Sequence, residues 1–78
     1  MILKYLVTEG EAASLENQFT YHSPKEDQQE RYVEIRHQAK QLAFLLLGAT
    51  PPSRERSLAL TNLEQAIFWA NAAIARNE

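Results

Sequence analysis

The side chains of this sequence that are best suited to chemistry are aromatic rings and cations placed at predicted helix starts. Tyr21 and His22 come directly before one such start, and Lys25 lies in the turn that follows it. Aromatic rings stack on nucleobases, while lysine or arginine beside a helix N-terminus holds phosphate. The set therefore suits a compact anion that carries a flat ring.

Two further cations, Arg54 and Arg56, stand in the first turn of a second predicted helix. The helix dipole disfavours positive charge there, and cations are usually found at the opposite end. A bound anion would resolve this conflict, and so would Glu55 together with a carboxylate from a second copy of the chain. The residues alone leave both explanations open.

Side chains for catalysis or for metal binding are scarce. The chain has no cysteine, and its two glycines, at positions 10 and 48, cannot form a phosphate-binding glycine loop. His22 and His37 are separated by a predicted helix start and more than two helical turns, so a shared metal is not expected. We predict a binding protein rather than an enzyme, with no catalytic residue, metal or cofactor.

Charge and hydropathy argue against two classes of partner. A net charge of −2 does not suit a protein that coats DNA by neutralising phosphates. No apolar run approaches the roughly 18 residues that a membrane-spanning helix needs. We therefore expect neither DNA nor membrane binding, and we expect a soluble intracellular protein.

Capping signals define a first long helix, predicted over residues 23–47. Ser23 is the predicted N-cap, Pro24 takes the first helical position and Glu26 completes a capping box. Gly48 is the predicted left-handed stop, and the two prolines that follow shortly after it prevent the helix from continuing.

A second helix of similar length is predicted over residues 53–76, with Ser53 as its N-cap. Equal lengths and a five-residue connection predict an antiparallel hairpin. The fold class is therefore all-α, in one domain that spans residues 1–78.

The arm and connector that precede the hairpin, residues 1–22, have a weaker pattern. Residues 11–19 suit a short helix with Ala12, Leu15 and Phe19 on one side. Residues 1–7 are apolar enough for a strand, or for an arm extended against a neighbouring copy.

Both long helices carry an apolar stripe at three- and four-residue spacing. The stripe residues are Tyr32, Ile35, Ala39, Leu42 and Leu46 on the first helix and Leu60, Leu63, Ile67, Ala70 and Ile74 on the second. Further large apolar side chains lie off the stripes, namely Phe44, Leu45, Leu47, Phe68 and Trp69. A two-helix domain without disulfides buries too little surface to be stable alone. We therefore predict a homo-oligomer in which other copies cover these side chains, including Trp69.

Two stretches of the chain resemble a known family. One is the tail Ser53–Thr61 continued by Phe68–Asn77, and the other is the Phe19–Pro24 connector with the pairs that follow it. Those pairs are Asp27-Gln28, Arg31-Tyr32, Ile35-Arg36 and Ala39-Lys40. Together the stretches cover roughly residues 17–77. They are similar to the family that groups anti-CBASS type 2 proteins with Thoeris anti-defence type 1 proteins.

The resemblance implies a phage sponge that sequesters the cyclic nucleotide messengers of bacterial antiviral signalling without cleaving them. Its place of action is then the cytoplasm of the infected bacterial host. The ligand class stays open between cyclic dinucleotides, cyclic trinucleotides and cyclic ADP-ribose variants. The resemblance also implies a compact homo-oligomer, typically a hexamer, with pockets between subunits.

Motif matches assign roles to particular residues. The resemblance implies that Tyr21 and His22 contact bases and that Lys25 contacts a phosphate. The residues implied for a second site, nearer a symmetry axis, are Arg54, Arg56 and Thr61. Structural alternatives stay open, because Tyr21 can simply pack on its helix and Thr61 can form a hydrogen bond across an interface.

A different function class also fits a helical hairpin that oligomerises. Such a protein can be an interaction module that inhibits a host protein or scaffolds phage assembly. The arginine pair at a helix start and the Tyr21-His22 connector favour messenger binding, because a scaffold does not require them.

Overall fold

The computed structural model describes residues 3–78, and their regular structure consists of three helices with no strand. Helix α1 covers Glu9–Phe19, α2 covers Gln28–Ala49 and α3 covers Arg54–Asn77. The prediction of an all-helical hairpin is therefore confirmed for this part of the chain. Leu3–Val7 adopt neither helix nor strand and are exposed, and the rest of the predicted arm lies outside the described residues.

Helices α2 and α3 run antiparallel, as their contacts at both ends show. At the base of the hairpin, Arg31 near the start of α2 binds the Glu78 side chain just beyond α3. At the tip, Arg56 in the first turn of α3 binds the Leu47 carbonyl near the end of α2. These contacts fix the register of the two helices at the ends of the hairpin.

Helix α1 begins at Glu9, two residues before its predicted start, because Thr8 supplies a capping box. The Glu11 amide donates to Thr8 Oγ1 at 3.1 Å, and the Thr8 amide donates to Glu11 Oε1 at 3.0 Å. The hydrogen bond from the Thr8 backbone holds the pKa of Glu11 below its usual value. A local side-chain exchange therefore starts α1 without help from the hairpin.

The predicted start of the first long helix at Ser23 is wrong, because α2 begins five residues later, at Gln28. Glu26 has a φ of 53°, a left-handed conformation that interrupts any right-handed helix. Gln28 stabilises the resulting turn, since its Oε1 accepts from the Lys25 amide at 3.1 Å and its own amide donates to the Lys25 carbonyl at 3.0 Å. The connector is thus a turn rather than a helical extension.

The predicted left-handed stop at Gly48 is also wrong. Gly48 lies inside α2, which continues to Ala49, and no glycine in residues 3–78 has a positive φ. Thr50 ends the helix with a φ of −130° and a ψ of 148°, the extended conformation that a residue before proline prefers. Pro51 therefore terminates α2, not Gly48.

The predicted cap of α3 is confirmed, because Ser53 Oγ accepts from the Arg56 amide at 3.1 Å. The helix then continues to Asn77, one residue past its predicted end. Both ends of the turn between α2 and α3 are therefore set by local chemistry, a proline on one side and a serine on the other.

Within residues 3–78 no hydrophobic side chain is fully buried in the single chain. The predicted stripes are mostly half-buried along the α2–α3 contact, but Leu42 is exposed and Ala43 takes its place. Trp69 is 63% exposed, so the single chain does not bury it. None of the helices in this part of the chain has the length and apolarity needed to cross a bilayer.

The chain is extended for its size. Its radius of gyration is 17.6 Å, against about 11.5 Å for a compact domain of this length. Its accessible surface is 6858 Å², against about 4,800 Å² for a compact monomer. The hairpin by itself therefore leaves many of its large apolar side chains in contact with water.

Candidate ligand-binding site

The connector between α1 and α2 is held against the C-terminal end of α3. Asn17 Nδ2 donates to the Arg76 carbonyl at 3.1 Å, which joins α1 to α3. His22 Nε2 lies 2.8 Å from the Asn17 carbonyl oxygen. A carbonyl can only accept, so Nε2 carries a proton, and in the neutral ring Nδ1 is then the acceptor. These bonds fix the half-buried imidazole beside the end of the hairpin.

Lys25 belongs to the same end of the molecule. Its Nζ donates to the backbone oxygen of Glu78 at 2.9 Å, which places the ammonium at the negative end of the α3 dipole. Gln28, the buried polar residue of the described chain, donates from Nε2 to Glu78 Oε1 at 3.2 Å. The start of α2 and the end of α3 are thereby joined through Glu78.

Arg31 completes this closure with a two-pronged contact to Glu78. Arg31 Nη1 donates to Glu78 Oε2 at 2.7 Å, and Nη2 pairs with the other carboxylate oxygen. Arg31 also pairs with Asp27 at 3.1 Å. The Arg31 hydrogen bonds, followed by that from Gln28, lower the pKa of Glu78 to about 2. The same bond to Glu78 raises the pKa of Arg31. We call Gln28, Arg31 and Glu78 the base cluster.

An open cavity of about 450 Å³, the connector cavity, lies between the connector and the hairpin. It is lined by Gln18, Thr20, Tyr21, His22, Tyr32, Arg36, Phe68, Asn71, Ala72, Ala75 and Arg76. Three aromatic rings and two guanidinium groups thus share one space. Because Tyr21 is 81% exposed and Phe68 is 70% exposed, both rings present faces on which a planar group can stack.

A smaller cavity of about 310 Å³ adjoins the connector cavity and contains Lys25 in its lining. Tyr21, His22 and Arg76 line both spaces. The fold therefore brings Tyr21, His22 and Lys25 together, as three members of the residue set predicted from the sequence. Their role in ligand binding stays a prediction.

The other three predicted site residues lie away from this end. Arg56 lines a cavity of about 370 Å³ at the hairpin tip, whereas Arg54 and Thr61 are exposed on α3 outside that cavity. The connector cavity and the Arg54–Arg56 turn are at opposite ends of the hairpin, so one chain cannot place all six residues around one ligand.

The unfavourable position of Arg56 at a helix start has an internal explanation. Its Nη1 donates to the Leu47 carbonyl at 3.1 Å and to the Thr50 carbonyl at 3.2 Å. These carbonyls stand at the C-terminal end of α2, where a cation is favoured. Arg56 thus lies in the first turn of α3 and neutralises the negative C-terminal end of α2. Neither a bound anion nor Glu55 is needed to account for it.

Tyr32, Arg36, Phe68 and Arg76 supply rings and guanidinium groups to the cavity, and none of them was predicted as a site residue from the sequence. The sequence shows Arg36 only as part of the family resemblance, and it shows Phe68 as an apolar side chain that other copies would cover. The position of the turn could have indicated that Arg36 and Phe68 face each other, because each of them lies 16 residues from Pro52. An antiparallel hairpin that turns there places the two at the same level. Tyr32, one helical turn before Arg36, then faces the same cavity.

Metal binding has no support in the described part of the chain. No group of three or more histidine or acidic side chains in residues 3–78 is placed to hold a metal ion. The rings, polar groups and guanidinium groups that line the connector cavity offer stacking, hydrogen bonding and attraction of anions.

Comparison with known proteins gives a family. The model of the family described as Acb2/Tad1, hairpin domain, matches residues 11–75. No curated protein and no solved structure gives a significant match. The matched region contains α1 except its first two residues, the connector, α2 and nearly all of α3. It therefore also contains the walls of the connector cavity except Arg76. The chain therefore belongs to the Acb2/Tad1 hairpin family, whose members are anti-defence sponges for cyclic nucleotides.

Proposed function

We propose that this protein sequesters cyclic oligonucleotide messengers of bacterial immunity by binding them intact in the connector cavity. The observation that carries the proposal is the shared lining of that cavity by Tyr21, Tyr32 and Phe68 with Arg36 and Arg76. Rings bind the bases and guanidinium groups bind the phosphates. Family membership supports the same function. Cyclic dinucleotides are the first candidates, with cyclic trinucleotides and cyclic ADP-ribose variants as further members of the class.

The residues of the connector have distinct tasks in this proposal. Tyr21 stacks on a base. His22, whose ring is fixed by Asn17, offers Nδ1 to a base edge. Lys25 keeps two ammonium protons beyond the one donated to Glu78, and these are available to a phosphate.

A second, separate site is proposed at the hairpin tip. Its residues are Arg54, Arg56 and Thr61. Because one chain does not gather them around a closed space, the site requires several tips to meet near a symmetry axis. Arg56 contributes there mainly by holding the tip in shape.

The proposal includes assembly into a homo-oligomer, with a hexamer as the expected size. Exposed apolar side chains on α2 and α3, such as Phe44, Leu45 and Trp69, support it. The connector cavity is open on one side, and a second copy would close it over the ligand. The protein acts by binding alone, in the cytoplasm of the infected host, so its effect is stoichiometric with the messenger.

Isothermal titration with cyclic di- and trinucleotides and cyclic ADP-ribose isomers tests the proposal. Ligand released by heating is then analysed by chromatography. Tight binding with intact ligand is the expected result. Tyr21→Ala and Arg36→Ala should each weaken binding about 5- to 150-fold, the range for loss of 1–3 kcal/mol. Tyr5→Ala is the control, because Tyr5 is an exposed aromatic residue outside the connector cavity.

Absence of binding across the whole panel would overturn this function. The exposed apolar surface would then favour the alternative, an interaction module that inhibits a host protein or scaffolds phage assembly. A host protein recovered in a fixed ratio without nucleotide would identify that activity.

A further inference from the structure

Helix α1 joins the hairpin at its C-terminal end, where Asn17 is its one half-buried residue. Every other residue of α1 is exposed. The extensive helix–helix contact of the described chain is that between α2 and α3, so α1 does not pack along either long helix. An isolated helix of 11 residues is marginal in water. The position of α1 therefore depends strongly on the contacts of Asn17.

Asn17 connects two helix ends through hydrogen bonds. Its Nδ2 donates to the Arg76 carbonyl at 3.1 Å, and its own carbonyl accepts from His22 Nε2 at 2.8 Å. The Arg76 carbonyl lies in the last turn of α3 and the Asn17 carbonyl in the last turn of α1. Carbonyls at these positions have no partner within their own helix. The two bonds satisfy them and join α3, Asn17 and His22 in series.

The connector is anchored at two points. Asn17 is the first. Lys25 is the second, because its Nζ donates to the Glu78 backbone oxygen at 2.9 Å and its amide donates to Gln28 Oε1 at 3.1 Å. Between the anchors lies Tyr21, which is 81% exposed and forms no hydrogen bond in the described chain. The place of the Tyr21 ring therefore follows from the two anchors.

One side of the connector cavity is made of four residues next to Asn17, and we call them the connector wall. They are Gln18, Thr20, Tyr21 and His22. Asn17 itself does not line the connector cavity but lines the smaller cavity beside it. Asn17 can therefore influence a ligand in the connector cavity through the position of this wall, without contact.

We propose that Asn17 is a positioning residue that fixes the connector wall against α3 and thereby slows the release of a bound cyclic nucleotide. The inference rests on the proposed function and deepens it, because it assigns the lifetime of the complex to one hydrogen bond outside the connector cavity. With this bond formed, the wall is ordered before the ligand arrives, so binding does not have to order it. Without the bond, the wall is in place for only part of the time, and the apparent affinity falls by that fraction.

Asn17→Ala tests the inference, because alanine keeps the carbonyl that His22 binds and removes the donor to Arg76. The measurement is surface plasmon resonance, with cyclic di- and trinucleotides and cyclic ADP-ribose isomers passed over immobilised protein. We expect ligand to leave the variant about 2- to 12-fold faster, the range for one hydrogen bond, with little change in the association rate. Asn17→Asp keeps the shape without an amide donor and should release ligand at least as fast. Asn62→Ala is the matched control, since Asn62 is exposed on α3 and lines neither cavity.

A double-mutant cycle separates positioning from a role in stability alone. If Asn17 acts through the connector wall, Asn17→Ala should accelerate release much less in the Tyr21→Ala background, where the ring that the wall presents is absent. Equal acceleration in both backgrounds would overturn the inference, and so would wild-type release from Asn17→Asp. A smaller assembly of both Asn17 variants in sedimentation velocity would also overturn it, because Asn17 would then serve an interface between copies. A wild type that binds no ligand of the panel would overturn the proposed function itself.

Discussion

Among single residues, Glu78 has an environment that strongly favours its charged form. Its carboxylate accepts from Arg31 and Gln28 at once, and these bonds hold its pKa at about 2, against an ordinary value of 4.5. In the unfolded chain the same group binds a proton more readily. The base cluster therefore stabilises the fold fully above about pH 4.5, and this stabilisation is lost as the pH falls toward about 2.

Glu78→Gln should remove this dependence. We expect the variant to be less stable than the wild type at pH 6, with the difference shrinking steadily between about pH 4.5 and pH 2. Urea unfolding at a series of pH values gives the comparison. Glu16→Gln is the control, because the Glu16 carboxylate makes no hydrogen bond in the described chain. A constant gap between wild type and Glu78→Gln at all pH values would contradict the assignment.

Glu26 is a second residue whose local geometry leads to a prediction about stability. Its φ of 53° causes steric strain in a residue with a Cβ, whereas glycine adopts it without such strain. Glu26→Gly should therefore raise the free energy of unfolding by about 1 kcal/mol, measured by urea denaturation. Glu30→Gly, within α2, should lower it by about 1 kcal/mol. If both substitutions were destabilising, the left-handed turn would not be present in solution.

At the scale of elements, the hairpin tip is held by Arg56 and not by its neighbour Arg54. Arg56→Ala removes two hydrogen bonds from a charged donor to the end of α2, and should lower the free energy of unfolding by about 1–2 kcal/mol. Arg54→Ala removes a cation from the same turn without losing a bond in the described chain, so it should be nearly neutral for stability. Urea unfolding of the two variants decides between them, and equal effects would show that Arg56 does not clamp the tip.

The long elements of this fold were predictable, whereas their junctions were only partly so. Apolar spacing gives two helices, and the Ser53 cap is visible in the sequence because it requires only one side chain and one amide. The Ser23 prediction failed because Gln28 competes through contacts with Glu78, fifty residues away in the chain. The Gly48 prediction failed because Pro51 requires an extended backbone at Thr50, and this requirement outweighs the preference of glycine for a left-handed stop. Long-range contacts of this kind leave no local pattern.

The same distinction applies to the candidate site. Tyr21, His22 and Lys25 lie within five consecutive residues, so their proximity follows from the connector alone. Arg36 and Phe68 meet only because the hairpin turns between them. The predicted tip residues show the limit of sequence reasoning, because the contact between Arg56 and the carbonyls of α2 depends on how the tip folds.

For the whole molecule, the main feature is apolar surface without a partner. Trp69 and Phe68 form an edge-on aromatic pair with ring centres 6.5 Å apart, and both rings are mostly exposed in the single chain. Large exposed rings of this kind are typical of interfaces. The stability of the protein should therefore depend on contacts between copies.

The melting temperature should accordingly rise with protein concentration, as it does when association stabilises the folded state. Trp69→Ala should reduce both the melting temperature and the assembly size, measured by calorimetry and by sedimentation velocity. Gln29→Ala, an exposed substitution on α2, should leave both unchanged. A concentration-independent melting temperature together with a wild-type-like Trp69→Ala variant would show that the single hairpin is self-sufficient.

The short turn between α2 and α3 also has a kinetic consequence. Most contacts in this chain are local or bridge one tight turn, and such low contact order is typical of chains that fold in microseconds to milliseconds. Encounters between copies are bimolecular and slow down on dilution. Under the proposed function, the lag before messenger is withdrawn would then be set by how fast newly made chains find each other, and not by how fast each one folds.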